Sequence, residues 1–213
     1  MSEPIRVKGK YSQNDEDAVI LDYFKDRVGT LIDIGANDGK TFSNSFALIE
    51  KGWAGDLFEP VENPFRKLHE LHKDNPTIFC HRYAIGAETG LATIYESGSH
   101  VTNEDWGLIS TLKKSETERW KGTPLDNFTE TQVQVLSWSD FYFASEQKKY
   151  EFVSIDAEGL ELEILTQMDL EAMEAEMICI ETNFNDEFAN KLKEYLTGYK
   201  LLHRTFENCL FAK

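Results

Sequence analysis

The most constraining feature of the sequence is an apolar run, Thr30–Ile34, that leads into a turn bounded by Gly35 and Gly39. The run shows no helical stagger of apolar positions, so it predicts a buried parallel strand. The two glycines provide the backbone freedom that a tight strand-to-helix turn requires, and they let the chain approach a ligand closely. Apolar residues at helical spacing follow in the segment 41–51, which predicts a helix. This combination is typical of a nucleotide-type cofactor site in an α/β protein.

The residues inside the turn distinguish between two classes of cofactor. A pyrophosphate-binding turn has the pattern G-x-G-x-x-G, with a glycine where this chain has Asn37. The carboxylate of Asp38 would repel two phosphate charges but would attract the ammonium group of a methionine moiety. The turn therefore favours S-adenosylmethionine over NAD.

A second acidic residue supports this interpretation. The segment 53–58 predicts the next strand, and Glu59 lies at its carboxyl end. An acid at this position can accept hydrogen bonds from both hydroxyls of a ribose. Glu59 also precedes Pro60 and could instead cap the helix predicted for residues 61–72. The two roles can coexist.

The next part of the chain predicts a third strand and then a long irregular segment. The strand, residues 77–85, ends in Ala84 and Ile85, which could line an adenine slot or belong to the ordinary core. In residues 97–130 the regular pattern is lost, and such long stretches in a compact domain tend to be lids or binding loops. We expect this segment to be a substrate-facing insertion, the alternative being a solvated excursion anchored by its aromatic residues.

Regular alternation of strands and helices resumes after residue 130 and ends in a hairpin predicted for residues 199–212. At the other end, Ser12 followed by Asp15 resembles a capping box, and we predict an N-terminal helix within residues 12–29. Repeated strand–helix alternation with a terminal hairpin predicts an open α/β sheet covered on both faces. The length is that of one domain, which we assign to residues 1–213.

Two acids follow the strand predicted for residues 150–155, namely Asp156 and Glu158. Ligands bind at the carboxyl ends of the strands in such sheets, so Asp156 should face the same crevice as Asp33 and Glu59. Glu158 would point to the same side if the chain is still extended there. Alternatively, the acids of this segment stabilise the dipole of the next helix.

The same acids could serve a metal or a proton transfer. Asp156 with Glu181 and Asn183, which follow the next strand, could offer oxygen ligands to Mg²⁺ or Ca²⁺, but acids near a crevice more often form a solvated rim or a ligand clamp. Methyl transfer to an alcohol requires in-line geometry and a group that accepts the hydroxyl proton. Asp156 and Glu158 are the leading candidates for this catalytic base. Isolated histidines are more often structural, and the chain has three that come into question as a base: His81, His100 and His203.

Composition excludes several partners. The chain has 38 acidic and 22 basic residues and a formal net charge of −16, which disfavours nucleic acid and anionic membrane surfaces. Residues 1–11 lack the apolar core of a signal peptide, and no segment is long enough for a membrane span. The three cysteines, Cys80, Cys179 and Cys209, show no C-x-x-C spacing and are expected to be buried thiols in a reducing cytoplasm. We expect a cytoplasmic protein; nothing in the pattern indicates its oligomeric state.

As a set, these motifs resemble the FkbM-type family of S-adenosylmethionine-dependent methyltransferases. The matching elements keep their order along the chain: Tyr11-Ser12-Gln13 with Asp17, Asp33-Ile34-Gly35-Ala36-Asn37-Asp38-Gly39, Ser43-Asn44, Gly52-Trp53-Ala54-Gly55, Glu59-Pro60, Ile155-Asp156-Ala157-Glu158-Gly159 with Glu161, and Glu207-Asn208-Cys209-Leu210-Phe211. The resemblance implies a Rossmann-like class I methyltransferase fold, with a mostly parallel seven-stranded sheet, helices on both faces and a C-terminal antiparallel hairpin. It also implies a set of cofactor-binding residues: Gln13, Asp33, Gly35, Ala36, Asn37, Asp38, Glu59, Ala84, Ile85 and Asp156.

The resemblance further implies O-methylation of a hydroxyl, often on a sugar or secondary metabolite. The chain has no Asn/Asp-Pro-Pro-aromatic motif of the kind that amino-group methyltransferases use to hold a planar nitrogen. We therefore expect an O-methyltransferase that acts on a hydroxyl of a saccharide, glycoconjugate or related metabolite. The expected partner is a small-molecule or glycan acceptor, with no nucleic acid and no membrane. The alternatives are a non-catalytic cofactor-binding or scaffold protein of the same fold, and a nicotinamide-dependent oxidoreductase.

Overall fold

The computed structural model describes residues 10–98 and 107–213. In this part of the chain the first half forms α1 (Glu16–Phe24), β1 (Thr30–Ile34), α2 (Phe46–Glu50), β2 (Ala54–Phe58), α3 (Glu62–His72), β3 (Ile78–His81), β4 (Ala84–Gly86) and β5 (Gly90–Ser97). The second half forms α4 (Lys114–Thr117), a 3₁₀ turn (Glu118–Trp120), β6 (Phe128–Ser137), α5 (Trp138–Ala144), β7 (Phe152–Ile155), α6 (Glu161–Leu165), β8 (Met177–Glu181), α7 (Asp186–Tyr195), β9 (Lys200–Arg204) and β10 (Asn208–Ala212).

The main sheet has seven strands in the order β3-β2-β1-β7-β8-β10-β9. All neighbouring strands from β3 to β8 are parallel, and β10 is antiparallel to both β8 and β9. The order reverses between β1 and β7, and the crevice at such a switch point is where open α/β sheets bind ligands. The predicted Rossmann-like fold, with its mostly parallel sheet and closing antiparallel hairpin, is confirmed.

Side-chain alternation along the strands supplies a core on each face of this sheet. In β1, Leu31 packs in a cluster with residues of α1, α2 and α3, whereas Ile32 packs in a second cluster with residues of α5, α6 and α7. Consecutive residues of one strand thus serve opposite faces. The sheet is therefore covered by helices on both sides, and its carboxyl edge is the part left open for a ligand.

Several elements differ from the sequence-based prediction. The N-terminal helix spans Glu16–Phe24 rather than most of residues 12–29, and the capping box of Ser12 with Asp15 is not formed. Instead, the Ser12 hydroxyl donates to Asp17 at 3.0 Å, and the Asp17 carboxylate also accepts backbone N–H groups of the preceding residues. This local carboxylate–backbone bonding delays the start of the helix.

A second, smaller sheet was not predicted. The third predicted strand is divided into β3, which stays in the main sheet, and β4, which pairs with β6. β6 also pairs with β5 along eight residues to give the order β4-β6-β5. Of the segment 97–130, residues 99–106, with His100, lie outside the described residues, and the remainder runs from Gly107 back to β6. None of the helices in the described ranges has the length and apolar character needed to cross a bilayer.

Candidate active site

A cavity of about 350 Å³ lies at the carboxyl edge of the main sheet. It is lined by most of the residues selected from the sequence: Gln13, Asp33, Gly35, Ala36, Asn37, Glu59, Ala84, Ile85, Asp156, Glu158, Glu181 and Asn183. These residues come from the N-terminal segment and from the ends of five strands. The edge of the sheet therefore brings together the predicted cofactor residues and the predicted catalytic acids.

The turn after β1 has the tight geometry that its glycines predict. Gly35 has φ +89°, and a Cβ built on it would lie 1.8 Å from the carbonyl oxygen of Asp156. The backbone N–H groups of Gly35 and Ala36 donate to the carbonyl of Phe58 at 3.0 and 2.9 Å. Glycine at position 35 is thus required by the close approach of the chain after β7.

Asp38 is the one predicted cofactor residue that does not line the cavity. Its carboxylate accepts the backbone N–H groups of Lys40 at 2.9 Å and Thr41 at 2.7 Å, and the Thr41 hydroxyl at 2.7 Å. An Asp side chain readily bonds to backbone two or three residues ahead. The idea that this carboxylate faces the cofactor therefore has no support in the geometry.

Asp33 is one of the acids that line the cavity. Its side chain is only 4% exposed, and it accepts hydrogen bonds from Ser45 Oγ at 2.5 Å and from Ser154. Burial raises the pKa of Asp33 to about 6, against the opposing effect of these hydrogen bonds. Asp33 thus ties the end of β1 to the segment before α2 while lining the cavity.

Glu59 combines the two roles that its position in the sequence left open. One carboxylate oxygen accepts the backbone N–H of Val61 at 2.6 Å, at the start of α3, and the other accepts that of Asn37 at 3.1 Å. The residue is buried and lines the cavity. Burial raises the pKa of Glu59 to about 8. Its contact with ribose hydroxyls stays a prediction.

Three carboxylates converge at the ends of β7 and β8. One oxygen from each of Asp156, Glu158 and Glu181 lies within 4.8 Å of the others; we call these residues the acid cluster. Glu158 has φ +47°, so it reaches Asp156 through a turn and not through the extended chain that the sequence-based argument assumed. The turn is held by Glu161, whose Oε1 accepts the backbone N–H groups of Ala157 at 3.1 Å and of Gly159 at 2.9 Å.

Burial and mutual repulsion favour the protonated forms of the acid cluster. Burial, followed by the charges of Glu161 and Asp33, raises the pKa of Asp156 to about 7. Burial and then the charge of Asp156 raise the pKa of Glu158 and of Glu181 well above the usual value for glutamate. The pKa of Asp156 therefore lies near neutral pH.

The described part of the insertion covers the acid cluster. Thr111 Oγ1 donates to the carbonyl oxygen of Glu158 at 2.7 Å, and the Lys113 ammonium group donates to the carbonyl of Gly159. Arg119 Nη1 lies 3.8 Å from Glu158 Oε2, and its guanidinium lies over the ring of Trp120. Arg119 and Trp120 both line the cavity, which agrees with a substrate-facing role for this segment.

Asn44 offers a test of whether the cavity suits a cofactor. Its side chain is 7% exposed and lines the cavity, and its Oδ1 has no hydrogen-bond partner within the described ranges. A buried oxygen without a donor costs free energy that a bound ligand can recover. The ammonium and hydroxyl groups of S-adenosylmethionine are such donors, and the positive charge of the cofactor would favour the ionised forms of the acids around it. The residues present therefore fit this cofactor.

Two members of the metal set predicted from the sequence, Asp156 and Glu181, belong to the acid cluster, in which Glu158 is the third carboxylate. Asn183 still lines the cavity, in a left-handed conformation with φ +45°. All three clustered groups are carboxylates whose pKa values are raised, so a cation would have to displace protons in order to bind.

The histidines considered as bases have partners elsewhere. His81 Nε2 lies 2.6 Å from Asp56 Oδ1, and His203 Nε2 lies 2.8 Å from Asp15 Oδ1. Neither histidine lines the cavity. The structural interpretation of these two residues is supported, and His100 lies outside the described residues.

A second cavity, of about 470 Å³, adjoins the first. Arg119, Glu181 and Asn183 line both cavities. The rest of its wall is mainly polar and comes from the insertion, from the start of α6 and from α7, with Lys113, Asn185 and Lys191 among its residues. A ligand that reaches the acid cluster therefore has a polar space beyond it.

The sequence-based argument missed several residues of the main cavity: Phe42, Arg119, Trp120 and Phe206. Phe42 belongs to the apolar pattern of the helix predicted for residues 41–51, but it lies before α2. The other three lie on the insertion or in the closing hairpin and belong to no periodic pattern. Glu207 and Asn208, which also line the cavity, were marked only by the motif at the end of the chain. Proximity to that motif is the one signal that could have pointed to Phe206.

Solved structures that match the chain share little sequence with it. The precorrin-6y C5,15-methyltransferase from Geobacter metallireducens GS-15 is 12% identical, with 100% of this chain and 96% of that chain covered and a TM-score of 0.47. Monomeric WbdD is 10% identical, with 95% and 42% covered and a TM-score of 0.49. The N-terminal domain of human METTL16 in complex with SAH is 14% identical, with 92% and 65% covered and a TM-score of 0.44.

No curated protein matches the sequence. A family model, by contrast, matches most of it: the methyltransferase FkbM domain aligns with residues 33–210. This range contains the turn after β1, Glu59, the acid cluster and most of β10. This match to a methyltransferase family contradicts the nicotinamide-dependent alternative. With the fold and the acid-lined cavity at the carboxyl edge of the sheet, this match shows that the protein belongs to the FkbM family of S-adenosylmethionine-dependent methyltransferases.

Proposed function

We propose that the protein transfers the methyl group of S-adenosylmethionine to a hydroxyl of a saccharide, glycoconjugate or related metabolite, with Asp156 as the catalytic base. The observation that carries the proposal is the position of Asp156. It lies at the carboxyl end of β7, in the same cavity as the turn after β1, and its pKa is raised to about 7. A base with a pKa near the working pH is the most effective proton acceptor.

The proposed reaction is a single displacement. The acceptor oxygen attacks the methyl carbon, an O–C bond forms, and the C–S bond breaks to leave the neutral thioether S-adenosylhomocysteine. The hydroxyl proton passes to the Asp156 carboxylate as the new bond forms. An aliphatic hydroxyl is too weak an acid to ionise unaided, so this transfer must accompany the displacement. In-line placement of the two reactants supplies the rest of the acceleration.

The two catalytic candidates receive different roles in this proposal. Asp156 accepts the proton. Burial and the charge of Asp156 raise the pKa of Glu158 well above its usual value, which favours the protonated carboxyl, a form that can donate a hydrogen bond. Its neutral carboxyl would hold the acceptor oxygen or a neighbouring hydroxyl in position.

For the cofactor, we assign each moiety to the residues whose chemistry suits it. Glu59 would accept hydrogen bonds from the ribose hydroxyls, and Ala84 and Ile85 would lie against the adenine. Gln13 and Asn44 would bind the methionine portion beside the turn after β1. All five line the one cavity.

A divalent cation is a second means of lowering the pKa of the acceptor hydroxyl. Asp156, Glu158 and Glu181 would hold Mg²⁺ or Ca²⁺ through carboxylate oxygens, the ligands that these ions prefer. Such an ion would supply Lewis acidity at the acceptor oxygen. Turnover that EDTA abolishes and Mg²⁺ restores would favour the cation, whereas unchanged turnover in EDTA would assign the proton transfer to Asp156 alone.

Ligand-induced stabilisation tests the cofactor. We expect S-adenosylmethionine and S-adenosylhomocysteine to raise the unfolding temperature, and NAD to leave it unchanged, because only a ligand that binds the folded state stabilises it. A shift with NAD alone would contradict the cofactor assignment. Stabilisation by the cofactor without turnover on any acceptor would instead favour the scaffold alternative.

A methyl-transfer screen tests the acceptor. Cofactor carrying a labelled methyl group is incubated with the protein and a library of glycans and hydroxylated metabolites, and transferred label is measured by mass spectrometry. Label on a saccharide oxygen is the expected result. Label found only on nitrogen, carbon or sulfur would refute the proposed acceptor class while leaving the cofactor assignment intact.

The charge and the cysteines of the chain bear on its partners and its location. A net charge of −16 disfavours nucleic acid and anionic membranes as partners. Cys80, Cys179 and Cys209 are all free thiols, which supports a reducing location such as the cytoplasm.

A further inference from the structure

An exposed pair of aromatic rings lies beside the acid cluster. Phe184 is 55% and Phe206 is 60% exposed, and their ring centroids are 3.7 Å apart with the planes inclined at 53°. Phe206 lines the main cavity. We propose that this pair, which we call the aromatic platform, binds a sugar ring of the methyl acceptor by stacking against its apolar C–H face. The inference rests on the proposed function and names the residues that would recognise its substrate.

The backbone that carries the platform is fixed by hydrogen bonds. The N–H of Phe184 donates to the carbonyl of Phe206 at 3.0 Å, and the N–H groups of Thr182 and Asn183 donate to the carbonyl of Glu207 at 2.6 and 3.0 Å. These bonds join the loop after β8 to the turn of the closing hairpin. A rigid ring face binds a ligand with little loss of conformational entropy.

The backbone of the loop is strained, and the strain serves to present the ring. Asn183 and Phe184 have φ values of +45° and +59°, a conformation that is unfavourable for a bulky residue. The Arg204 guanidinium lies over the Phe184 ring, 6.0 Å from its centroid, and Arg204 Nη1 donates to Asp186 at 2.7 Å. Strained backbone kept by surrounding bonds is characteristic of binding sites, and here it holds an apolar side chain in solvent.

The groups around the platform favour a sugar over a purely apolar acceptor. Glu181, Asn183 and Glu207 line the same cavity as Phe206, and they offer acceptors and donors for hydroxyl groups. An alkyl or plain aromatic acceptor would desolvate these groups without replacing their hydrogen bonds. A sugar ring presents an apolar face to the platform and a rim of hydroxyls to the polar groups.

The second cavity extends this argument to a longer glycan. Asn183, which precedes Phe184, lines both cavities, as do Arg119 and Glu181. A sugar stacked on the platform would thus have its next unit beside the polar wall formed by Lys113, Asn185 and Lys191. Along the sheet edge the platform follows β8, whereas Asp33 and Glu59 end β1 and β2 on the other side of the acid cluster.

Steady-state kinetics of Phe206→Ala with the glycan found in the methyl-transfer screen tests the inference. Loss of the ring should raise KM for the acceptor about fivefold to tenfold, the usual worth of an aromatic contact, with kcat and the affinity for S-adenosylhomocysteine unchanged. Phe206→Trp should keep KM within about twofold because it retains a stacking face. Phe143→Ala is the matched control, since Phe143 is 90% exposed on α5 and lies outside the cavity.

An unchanged KM in Phe206→Ala, with the glycan still methylated, would overturn the platform while leaving the proposed function standing. If no glycan is methylated, the proposed acceptor class is wrong, and a measurement of sugar binding then tests the platform separately. Saturation-transfer NMR on the protein loaded with S-adenosylhomocysteine then uses methyl glycosides of glucose, mannose, rhamnose and fucose as probes. Saturation of ring C–H protons that Phe206→Ala abolishes and Phe143→Ala retains would support a sugar-binding platform, and its absence for all four would refute it.

Discussion

Replacement of Asp156 by Asn isolates the proposed proton transfer. The side chain keeps its size and its capacity to hydrogen-bond, and the backbone contact of its N–H with the carbonyl of Ile34 at 2.9 Å is unaffected. What is lost is the ability to accept a proton. We expect kcat to fall by about 10²- to 10⁴-fold, the range that general-base catalysis contributes, while the affinity for S-adenosylhomocysteine stays within a few-fold.

The pH dependence follows from the raised pKa of Asp156. With a pKa of about 7, the carboxylate is half ionised near neutral pH, and its ionised fraction falls about tenfold for each pH unit below that. The turnover of the wild-type protein should therefore rise steeply from pH 5 to pH 7 and level off above. The residual turnover of Asp156→Asn should lack this rise, because the variant has no carboxylate at this position.

The assay measures methyl transfer at saturating acceptor from pH 5 to pH 9, with cofactor affinity determined by calorimetry at the same pH values. Asp22→Asn is the matched control, since Asp22 lies on α1, is exposed and does not line the cavity. If Asp156→Asn keeps more than about a tenth of the wild-type turnover, a loss far below that of a general base, or if the wild-type profile is flat from pH 5 to pH 7, Asp156 is not the base. Glu158→Gln would then be the next variant to measure.

Three further predictions concern stability and cofactor binding. Burial raises the pKa of Asp33 from 3.8 to about 6, so the folded state binds more protons and its stability falls by about 3 kcal/mol as pH rises through this interval. Urea unfolding at pH 4 and pH 7 should show that Asp33→Asn removes this loss of stability. An unaltered stability difference between the two pH values would contradict the assignment. Gly35→Ala places a Cβ 1.8 Å from the Asp156 carbonyl and should abolish the thermal shift with S-adenosylmethionine, whereas Gly198→Ala, where nothing lies within 4 Å, should keep it; equal shifts would argue against the close approach. Asn44→Ala should weaken S-adenosylmethionine binding about threefold to tenfold in calorimetry, the worth of one hydrogen bond, and undiminished affinity would show that Asn44 Oδ1 does not bind the cofactor.

The sheet was predictable because its strands are short apolar runs separated by helical patterns. Buried parallel strands such as β1, β7 and β8 can be recognised from their own apolar runs, without knowledge of which strands they pair with. The second sheet was not predictable, because β5 and β6 are half-exposed strands whose pairing joins segments about 40 residues apart. The short helices were overestimated in length where polar side chains bond to nearby backbone, as Ser43 does before α2.

The predicted part of the site comes from one topological rule. Asp33, Glu59 and Asp156 each end a parallel strand, so the carboxyl edge of the sheet brings them together whatever the loops do. Asp38 fails this rule because it lies beyond the strand, where local turn bonding decides its direction. The rule does not predict Phe206, because the position of this residue depends on the pairing of β10, and local sequence does not encode that pairing.

The N-terminal segment closes against the last hairpin, and this has a consequence for the order of folding. Asn14 Nδ2 donates to Glu207 Oε2 at 2.6 Å across 193 residues of chain, and Thr205 Oγ1 donates to Glu16 Oε1 at 2.6 Å across 189. Contacts of such separation carry the largest loop-closure cost and slow the folding rate. Gln13 and Glu207, which border the cavity, are therefore positioned only when the two ends of the domain have met. Competence to bind the cofactor should consequently appear with the slowest step of refolding rather than with the formation of the central strands.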